Sequence, residues 1–155
     1  VGDGPERAAL TQLAQHLQLA DRVFFTGMVS PADVPRYYAL ADAFVSASAS
    51  EAQGLTYLEA LAAGLPLLCR DDPCLKNLVQ QGQNGYVWQN PAQLVRLSHT
   101  LLYRDDPDAL RKNAAASARP YSAAAFAAAA EQLYRREILR KTQQRQILRR
   151  EVVLW

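Results

Sequence analysis

Two glutamates flank a glycine turn near the middle of the chain, in the stretch Glu51-Ala-Gln-Gly-Leu-Thr-Tyr-Leu-Glu59. A short apolar segment precedes the turn and is typical of a buried strand, and the leucines after it recur at helical spacing. A helix that begins near Gly54 would present its first unbonded amide groups at the carboxyl end of a parallel sheet, where phosphate groups commonly bind. We therefore expect an anion at this turn.

The two carboxylates need a different partner, because acids placed beside a phosphate would repel it. Carboxylate oxygens accept hydrogen bonds from hydroxyl groups, and a vicinal diol suits their two oxygens. A ligand with phosphate at its centre and diols at both ends is a nucleotide-sugar. The alternative is that Glu51 is a loop acid and Glu59 a solvated helix residue, and their spacing alone does not decide between these interpretations.

Arg70 is a further candidate, because it follows a short apolar segment that predicts another buried strand. At the same sheet edge its guanidinium could contact a pyrophosphate or an acceptor. The alternative is an ion pair with Asp71 or Asp72. The segment Asp106-Pro-Asp108 has the D-x-D form of some metal sites, but a helix cap with Pro107 in the first turn explains it better.

Strand-like and helical segments alternate along the chain and would position these residues. Strands are predicted at residues 23–25, 41–47, 66–69 and 86–88, and helices at residues 5–17, 31–40, 55–62, 75–81, 91–103, 107–118 and 122–150. This order predicts an α/β fold, a Rossmann-like parallel sheet with helices on both faces. The chain opens on Val1-Gly-Asp-Gly without a methionine, so we expect the first strand to lie outside it.

The composition bounds the remaining possibilities. Half of the 155 residues are apolar, which suits one domain with a core. There is no run of about 18 apolar residues and no secretory signal, so we expect no membrane-spanning segment. Cys69 and Cys74 are not accompanied by further residues at metal-ligand spacing, and two cysteines do not form a disulfide framework. We therefore expect a reduced, cytoplasmic protein.

The basic charge is concentrated in the last predicted helix. Residues 131–151 hold seven basic and three acidic residues, whereas the first 130 hold ten basic and twelve acidic residues. We expect the first half of this helix to pack on the domain, and the second half either to contact anionic lipid head groups or to cross onto an absent N-terminal domain. The apolar residues 152–155 could support either contact. We expect no nucleic-acid partner.

The glutamate pair, with seven residues between its members, resembles the E-x7-E signature of retaining GT-B glycosyltransferases of the fourth sequence family, the "glycosyl transferases group 1". Four more segments resemble landmarks of that family in the same order, and the resemblance covers residues 1–121. They are Val1-Gly-Asp-Gly-Pro-Glu6, Asp21-Arg-Val-Phe-Phe-Thr-Gly27, Tyr38-Ala-Leu-Ala-Asp42 and Gly82-Gln-Asn-Gly85. The turn itself is most similar to that of bacterial transferases that glycosylate diacylglycerol.

This resemblance implies roles for individual residues. Glu51 would contact hydroxyls of the donor sugar and Glu59 would hold the ribose. Val29 would lie beside the nucleobase, and Glu51 and Arg70 are the catalytic candidates. Sugar and phosphate would be held by the backbone amides of Gln53, Gly54, Leu55 and Thr56.

The resemblance also implies an activity for the whole protein. The reaction would transfer a hexose from a UDP-sugar to a hydroxyl, with a membrane lipid as one candidate acceptor, and would need no metal or other cofactor. Residues 1–121 would form the donor-binding half and residues 122–155 a helix of the same domain. An N-terminal acceptor domain would lie outside this chain, which alone would transfer nothing. The alternatives are a non-catalytic nucleotide-sugar-binding module, or a membrane or protein interaction module that uses the basic helix.

Overall fold

The structure is a computed structural model that describes residues 1–51, 54–104 and 106–152, with side chains through residue 145. The described residues form three strands and six α-helices. The strands are β1 (Phe44–Ser46), β2 (Leu67–Arg70) and β3 (Gly85–Trp88), and the helices are α1 (Arg7–His16), α2 (Val34–Leu40), α3 (Leu55–Ala62), α4 (Pro91–Leu102), α5 (Pro107–Ala118) and α6 (Ala123–Val152). Short 3-10 turns occupy Pro73–Leu75 and Arg119–Tyr121.

The three strands form one parallel sheet in the order β1-β2-β3. Leu67 of the central strand is in register with Phe44 on one side and Gly85 on the other. A Cβ at Gly85 would collide with the backbone of Leu67, so only glycine allows the two strands to approach this closely at that point. The predicted parallel sheet is confirmed.

Helices cover both faces of the sheet because the side chains of β2 alternate. Leu67 and Cys69 point into one core with Tyr57 and Leu61 of α3, and Ala114 of α5 joins that core. Leu68 points to the other face, where it packs in a second core with residues of β3, α4 and α5. The predicted α/β, Rossmann-like arrangement is confirmed, and its strands all direct their carboxyl ends toward the edge that holds residues 47–51 and 71–72.

The predicted strand at residues 23–25 is wrong. The nearest pairing is an isolated antiparallel bridge, in which the amide of Gly2 donates to the carbonyl of Gly27 over 3.0 Å. The side chain of Phe24 is 78% exposed. An apolar segment becomes a strand only where a neighbouring strand can pair with it, and the described residues offer none to residues 23–25.

Helix α2 starts later than predicted. The hydroxyl of Ser30 donates to the Asp33 carboxylate over 2.8 Å, and the Ser30 carbonyl accepts from the amides of Asp33 and Val34. These bonds close a separate turn at residues 30–33. Pro35, not Pro31, therefore occupies the first turn of the helix.

The predicted helix at residues 75–81 is also wrong, since only a 3-10 turn and further turns occur there. The cause is the buried side chain of Asn84. Its oxygen accepts from the amide of Gln80 over 2.7 Å, and its amide group donates to the carbonyl of Leu78 over 2.9 Å. These bonds occupy backbone groups that a continued helix would need.

Helix α6 follows its predicted cap, because the hydroxyl of Ser122 accepts from the amide of Ala125 over 3.2 Å. We expected its first half to pack on the domain, but Leu133, Tyr134 and Ile138 are all exposed. The expected contacts of residues 152–155 lie outside the described side chains. None of the helices in the described residues is both long enough and apolar enough to span a membrane.

Candidate functional site

The glycine turn begins α3 as predicted. Gly54 has φ 60° and ψ 40°, in the left-handed region, and its carbonyl accepts from the amides of Tyr57 and Leu58 over 3.0 and 3.3 Å. The amides of Gly54, Leu55 and Thr56 donate to no group in the described parts of the chain. The first turn of α3 thus places these three backbone amides, together with the positive end of its dipole, at the carboxyl edge of the sheet.

Asp72 fastens the segment before this turn to the sheet. Its side chain is only 4% exposed and accepts from the amide of Glu51 over 3.3 Å and from the amide of Cys74 over 2.9 Å. The thiol and amide of Cys74, with the amide of Glu51, hold the pKa of Asp72 below its usual value. The sequence analysis treated Asp72 only as a possible partner of Arg70 and missed this role, which depends on amides that the fold brings to its carboxylate.

Glu59 lies on the exposed side of α3, and its Oε2 atom accepts from the hydroxyl of Tyr38 over 3.0 Å. The ring of Tyr38 packs at 6.2 Å from the ring of Phe44. Burial, the hydrogen bond to Glu59 and the charge of that carboxylate raise the pKa of Tyr38 to about 12. Tyr38 packs as expected, but its bond to Glu59 was not predicted. The only hint in the sequence was that Tyr38 begins the segment Tyr38-Ala-Leu-Ala-Asp42, which resembles a landmark of the family.

A cleft of about 530 Å³ lies between α2 and α3, and we call it the α2–α3 cleft. Val29, Thr56 and Glu59, three of the predicted site residues, line it, and so does Tyr38. The structure therefore brings the expected nucleobase contact and the expected ribose contact to one cavity. Glu51, Gly54, Leu55 and Arg70 are not part of its lining in the described structure, and Gln53 lies outside the described residues.

Glu51 is half-buried at the end of the loop that leads to the turn. Its carboxylate is close enough to the phenol of Tyr57 and the thiol of Cys74 to contribute to the raised pKa of both groups, where burial is the main cause. Its backbone is held at this edge of the sheet by the bond from its amide to Asp72. Glu59 lines the α2–α3 cleft and Glu51 does not, so the two glutamates do not share a single pocket in the described structure.

Arg70 ends β2 and is exposed at the same edge. In the described structure it forms no ion pair with Asp71 or Asp72. Asp71 accepts instead from the side-chain amide of Gln89 over 3.1 Å, and Asp72 accepts from backbone amides. The alternative interpretation of Arg70 is therefore wrong. Asp106 caps α5 by accepting from the amide of Ala109 over 2.9 Å, as expected for this D-x-D segment.

A larger open groove of about 880 Å³ lies beside the carboxyl ends of β2 and β3, lined by residues such as Asp71, Lys76, Gln89 and Arg96. None of the predicted site residues lines it. Within the described ranges no group of three or more His, Cys, Asp or Glu side chains could hold a metal ion. That the activity needs no metal stays a prediction.

Comparison with known proteins accounts for this arrangement. The family model described as "Glycosyl transferases group 1" matches residues 1–119. Among curated relatives, the alpha-monoglucosyldiacylglycerol synthase of Acholeplasma laidlawii is 38% identical over 137 residues, which are 86% of this chain and 34% of the relative. The alpha-monoglucosyldiacylglycerol synthase of Streptococcus pneumoniae is 47% identical over 87 residues, 56% of this chain and 20% of the relative.

Among solved structures, the pneumococcal O-GlcNAc transferase GtfA, in complex with UDP and GlcNAc, aligns with a TM-score of 0.68 and 25% identity over 75% of this chain and 24% of its own. The chain thus spans about a third or less of the length of these relatives. The resemblance inferred from the E-x7-E pair is confirmed, and the fold is the Rossmann-like half of a GT-B structure. The chain belongs to the glycosyl transferases group 1 family.

Proposed function

We propose that this chain is the donor-binding part of a retaining glycosyltransferase, which transfers a hexose from a UDP-sugar to a hydroxyl group. The observation that supports the proposal best is the convergence of Val29, Thr56 and Glu59 on one cleft beside the N-terminus of α3. Val29 would contact the nucleobase, and Glu59 would accept hydrogen bonds from the ribose hydroxyls. The amides at the start of α3 would hold the diphosphate.

In this reaction the bond between the anomeric carbon and the phosphate breaks, and negative charge develops on the leaving diphosphate. The amides of Gly54, Leu55 and Thr56 would stabilise that charge, and one well-placed donor of this kind lowers the barrier by about 2.7 to 4 kcal/mol in other enzymes. The guanidinium of Arg70 would add a charge at the same edge. Glu51 would orient the donor sugar through its hydroxyls, and Gln53 would assist through its amide.

The test uses the complete protein and isothermal titration with UDP. Glu59→Ala should weaken UDP binding by about 10- to 100-fold, the loss expected for hydrogen bonds to a charged group. The matched control is Glu6→Ala, which removes an exposed acid outside the α2–α3 cleft and should leave UDP affinity unchanged. Equal UDP affinity in Glu59→Ala and the unmodified protein would overturn the proposal.

A second measurement separates transfer from binding alone. Glu51→Ala should retain most of the UDP affinity but lose turnover of UDP-glucose, because its proposed contacts are to the sugar and not to the nucleotide. A non-catalytic nucleotide-sugar-binding module would show no turnover in the unmodified protein. Full turnover in Glu51→Ala would remove that residue from the catalytic candidates.

We also propose that the acceptor is a membrane lipid and that the protein lies peripherally on the cytoplasmic face of the membrane. The names of the two alpha-monoglucosyldiacylglycerol synthases support this acceptor class. On α6 the cations Arg136, Lys141 and Arg145 are exposed, and so are the apolar Leu133 and Ile138. Cations near an anionic membrane surface contribute about 1 kcal/mol each. The alternative is that this helix contacts another domain or another protein instead of a lipid.

Vesicle sedimentation of the complete protein tests the lipid contact. Binding to anionic vesicles should fall when Arg136, Lys141 and Arg145 are all changed to Gln, and neither protein should bind zwitterionic vesicles strongly. Lys112→Gln, which removes an exposed cation of α5, is the control and should not change the bound fraction. If the triple variant sediments with anionic vesicles as well as the unmodified protein does, α6 is not the lipid contact.

A further inference from the structure

We infer that Tyr38 is a positioning residue for Glu59, which fixes the carboxylate so that its second oxygen points to the ribose hydroxyls of the donor. The inference rests on the proposed function and adds a residue to it. Tyr38 would not touch the substrate in this role. It would determine how strongly the protein distinguishes a ribose from a sugar that lacks those hydroxyls.

The contact itself is direct. The phenol of Tyr38 donates to Oε2 of Glu59 over 3.0 Å, and 21 residues of sequence separate the two. The bond joins α2 to α3 across the cleft that both residues line. Since Oε2 is occupied, Oε1 is the atom with full capacity to accept from a ligand.

The phenol is held in place by packing. Its ring lies 6.2 Å from the ring of Phe44 at an angle of 51°, and Phe44 in turn meets Tyr57 edge-on at 5.8 Å. Tyr57 is fully buried in the core beneath α3. Two aromatic contacts therefore connect the ring of Tyr38 to the buried core, whereas Glu59 alone is an exposed side chain with several rotatable bonds.

Glu59 also lines a second cavity, so the direction of its carboxylate determines which of the two cavities it serves. A neighbouring cleft of about 600 Å³ shares Val29, Tyr38 and Glu59 with the α2–α3 cleft, and its other walls include Pro31 and Ala62. Without the bond from Tyr38, the carboxylate could turn toward either cavity. A ligand would then have to immobilise it on binding, which lowers affinity.

The protonation state of Tyr38 agrees with a donor role. Burial and the adjacent carboxylate raise the pKa of Tyr38 to about 12, so the phenol keeps its proton throughout the neutral range. In that range Tyr38 is therefore the donor of this pair.

Tyr38→Phe in the complete protein tests the inference, because it removes the donor and keeps the ring that packs on Phe44. We expect UDP binding to weaken by about 3- to 10-fold, the usual effect of one hydrogen bond. Binding of 2′,3′-dideoxy-UDP should change little, because that ligand offers Glu59 no hydroxyl. Tyr86→Phe, which removes the hydroxyl of a half-buried tyrosine outside the cleft, is the control and should not alter either affinity.

A double variant separates positioning from a general structural effect. In the Glu59→Ala background, Tyr38→Phe should cause no additional loss of UDP affinity, since its only proposed effect passes through the carboxylate. Equal losses for UDP and the dideoxy analogue, additive losses in the double variant, or no loss at all would each overturn the inference. If instead Glu59→Ala alone leaves UDP binding unchanged, the proposed function itself fails.

Discussion

Gly54 lies directly against the ring of Tyr57. A Cβ built on Gly54 would stand 2.7 Å from Cδ2 of Tyr57, which is closer than two carbon atoms can approach without moving. The ring cannot retreat freely, because Tyr57 is fully buried and its ring meets that of Phe44 at 5.8 Å. The turn at the proposed phosphate site is therefore fixed by the hydrophobic core beneath it.

Gly54→Ala should destabilise the protein by about 2 to 5 kcal/mol, since it adds an overpacking cost to the cost of left-handed backbone. The control is Gly82→Ala, because Gly82 has a similar φ of 76° but the nearest atom to its Cβ would be 3.8 Å away. That variant should lose only about 1 to 2 kcal/mol. The free energy of unfolding in urea is the measurement. Equal losses in the two variants would contradict the close contact with Tyr57.

Arg70→Gln should leave the stability of the protein nearly unchanged, because the side chain is exposed. It should weaken binding of UDP by about 10-fold, the effect of losing one charge-assisted hydrogen bond to phosphate. Binding of uridine, which has no phosphate, should not change. These affinities can be compared by titration calorimetry.

The matched control for this prediction is Arg96→Gln, which removes an exposed cation from the larger groove, a cavity that Arg70 does not line. It should bind UDP like the unmodified protein. A loss for uridine as large as that for UDP, or the same loss in both arginine variants, would show that Arg70 does not contact the diphosphate.

The local parts of this structure could be predicted from the sequence. The Gly54 turn and the helix after it follow from a glycine and the spacing of leucines, which act within a few residues. The strand at residues 67–70 follows from a short apolar run. These elements were confirmed because no distant group competes with the local preference there.

The remaining parts depend on distant contacts. The bond from Tyr38 to Glu59 and the bond from the Glu51 amide to Asp72 each join residues 21 positions apart, and no local pattern encodes either distance. Likewise, residues 75–81 match a helical pattern in the sequence, but the buried side chain of Asn84 bonds to two of their backbone groups. The sequence therefore identified candidate site residues, but it did not identify Tyr38 and Asp72, whose hydrogen bonds position two of them.

The two thiols should be unreactive in the folded protein. Burial raises the pKa of Cys69 to about 12, and burial together with Asp72 raises the pKa of Cys74 to about 11. Since the thiolate is the reactive form, neither should react rapidly with Ellman's reagent at about pH 8, whereas both should react once guanidinium unfolds the chain. Cys69→Ala and Cys74→Ala assign the signal to each thiol. Rapid native-state labelling of the buried Cys69 would contradict the packing of β2.

The buried carboxylate of Asp72 should make stability depend on pH in acid. Hydrogen bonds from Cys74 and from the amide of Glu51 lower the pKa of Asp72 in the folded protein. Its contribution to stability is therefore complete above its unfolded pKa of about 4, and it is lost as pH falls through the lower folded value. Asp72→Asn should be less stable than the unmodified protein near neutral pH, and the difference should shrink below about pH 4.

Urea unfolding of both proteins at several pH values measures that difference. Asp71→Asn is the control for loss of charge at this sheet edge, because Asp71 is exposed and its carboxylate bonds only to the side chain of Gln89 in the described structure. At neutral pH it should cost less stability than Asp72→Asn, since no backbone amide loses its acceptor. Because Asp72 holds the amide of Glu51, only Asp72→Asn should also weaken turnover of UDP-glucose. A stability difference for Asp72→Asn that stays constant from neutral to acidic pH would show that the carboxylate does not clamp this loop.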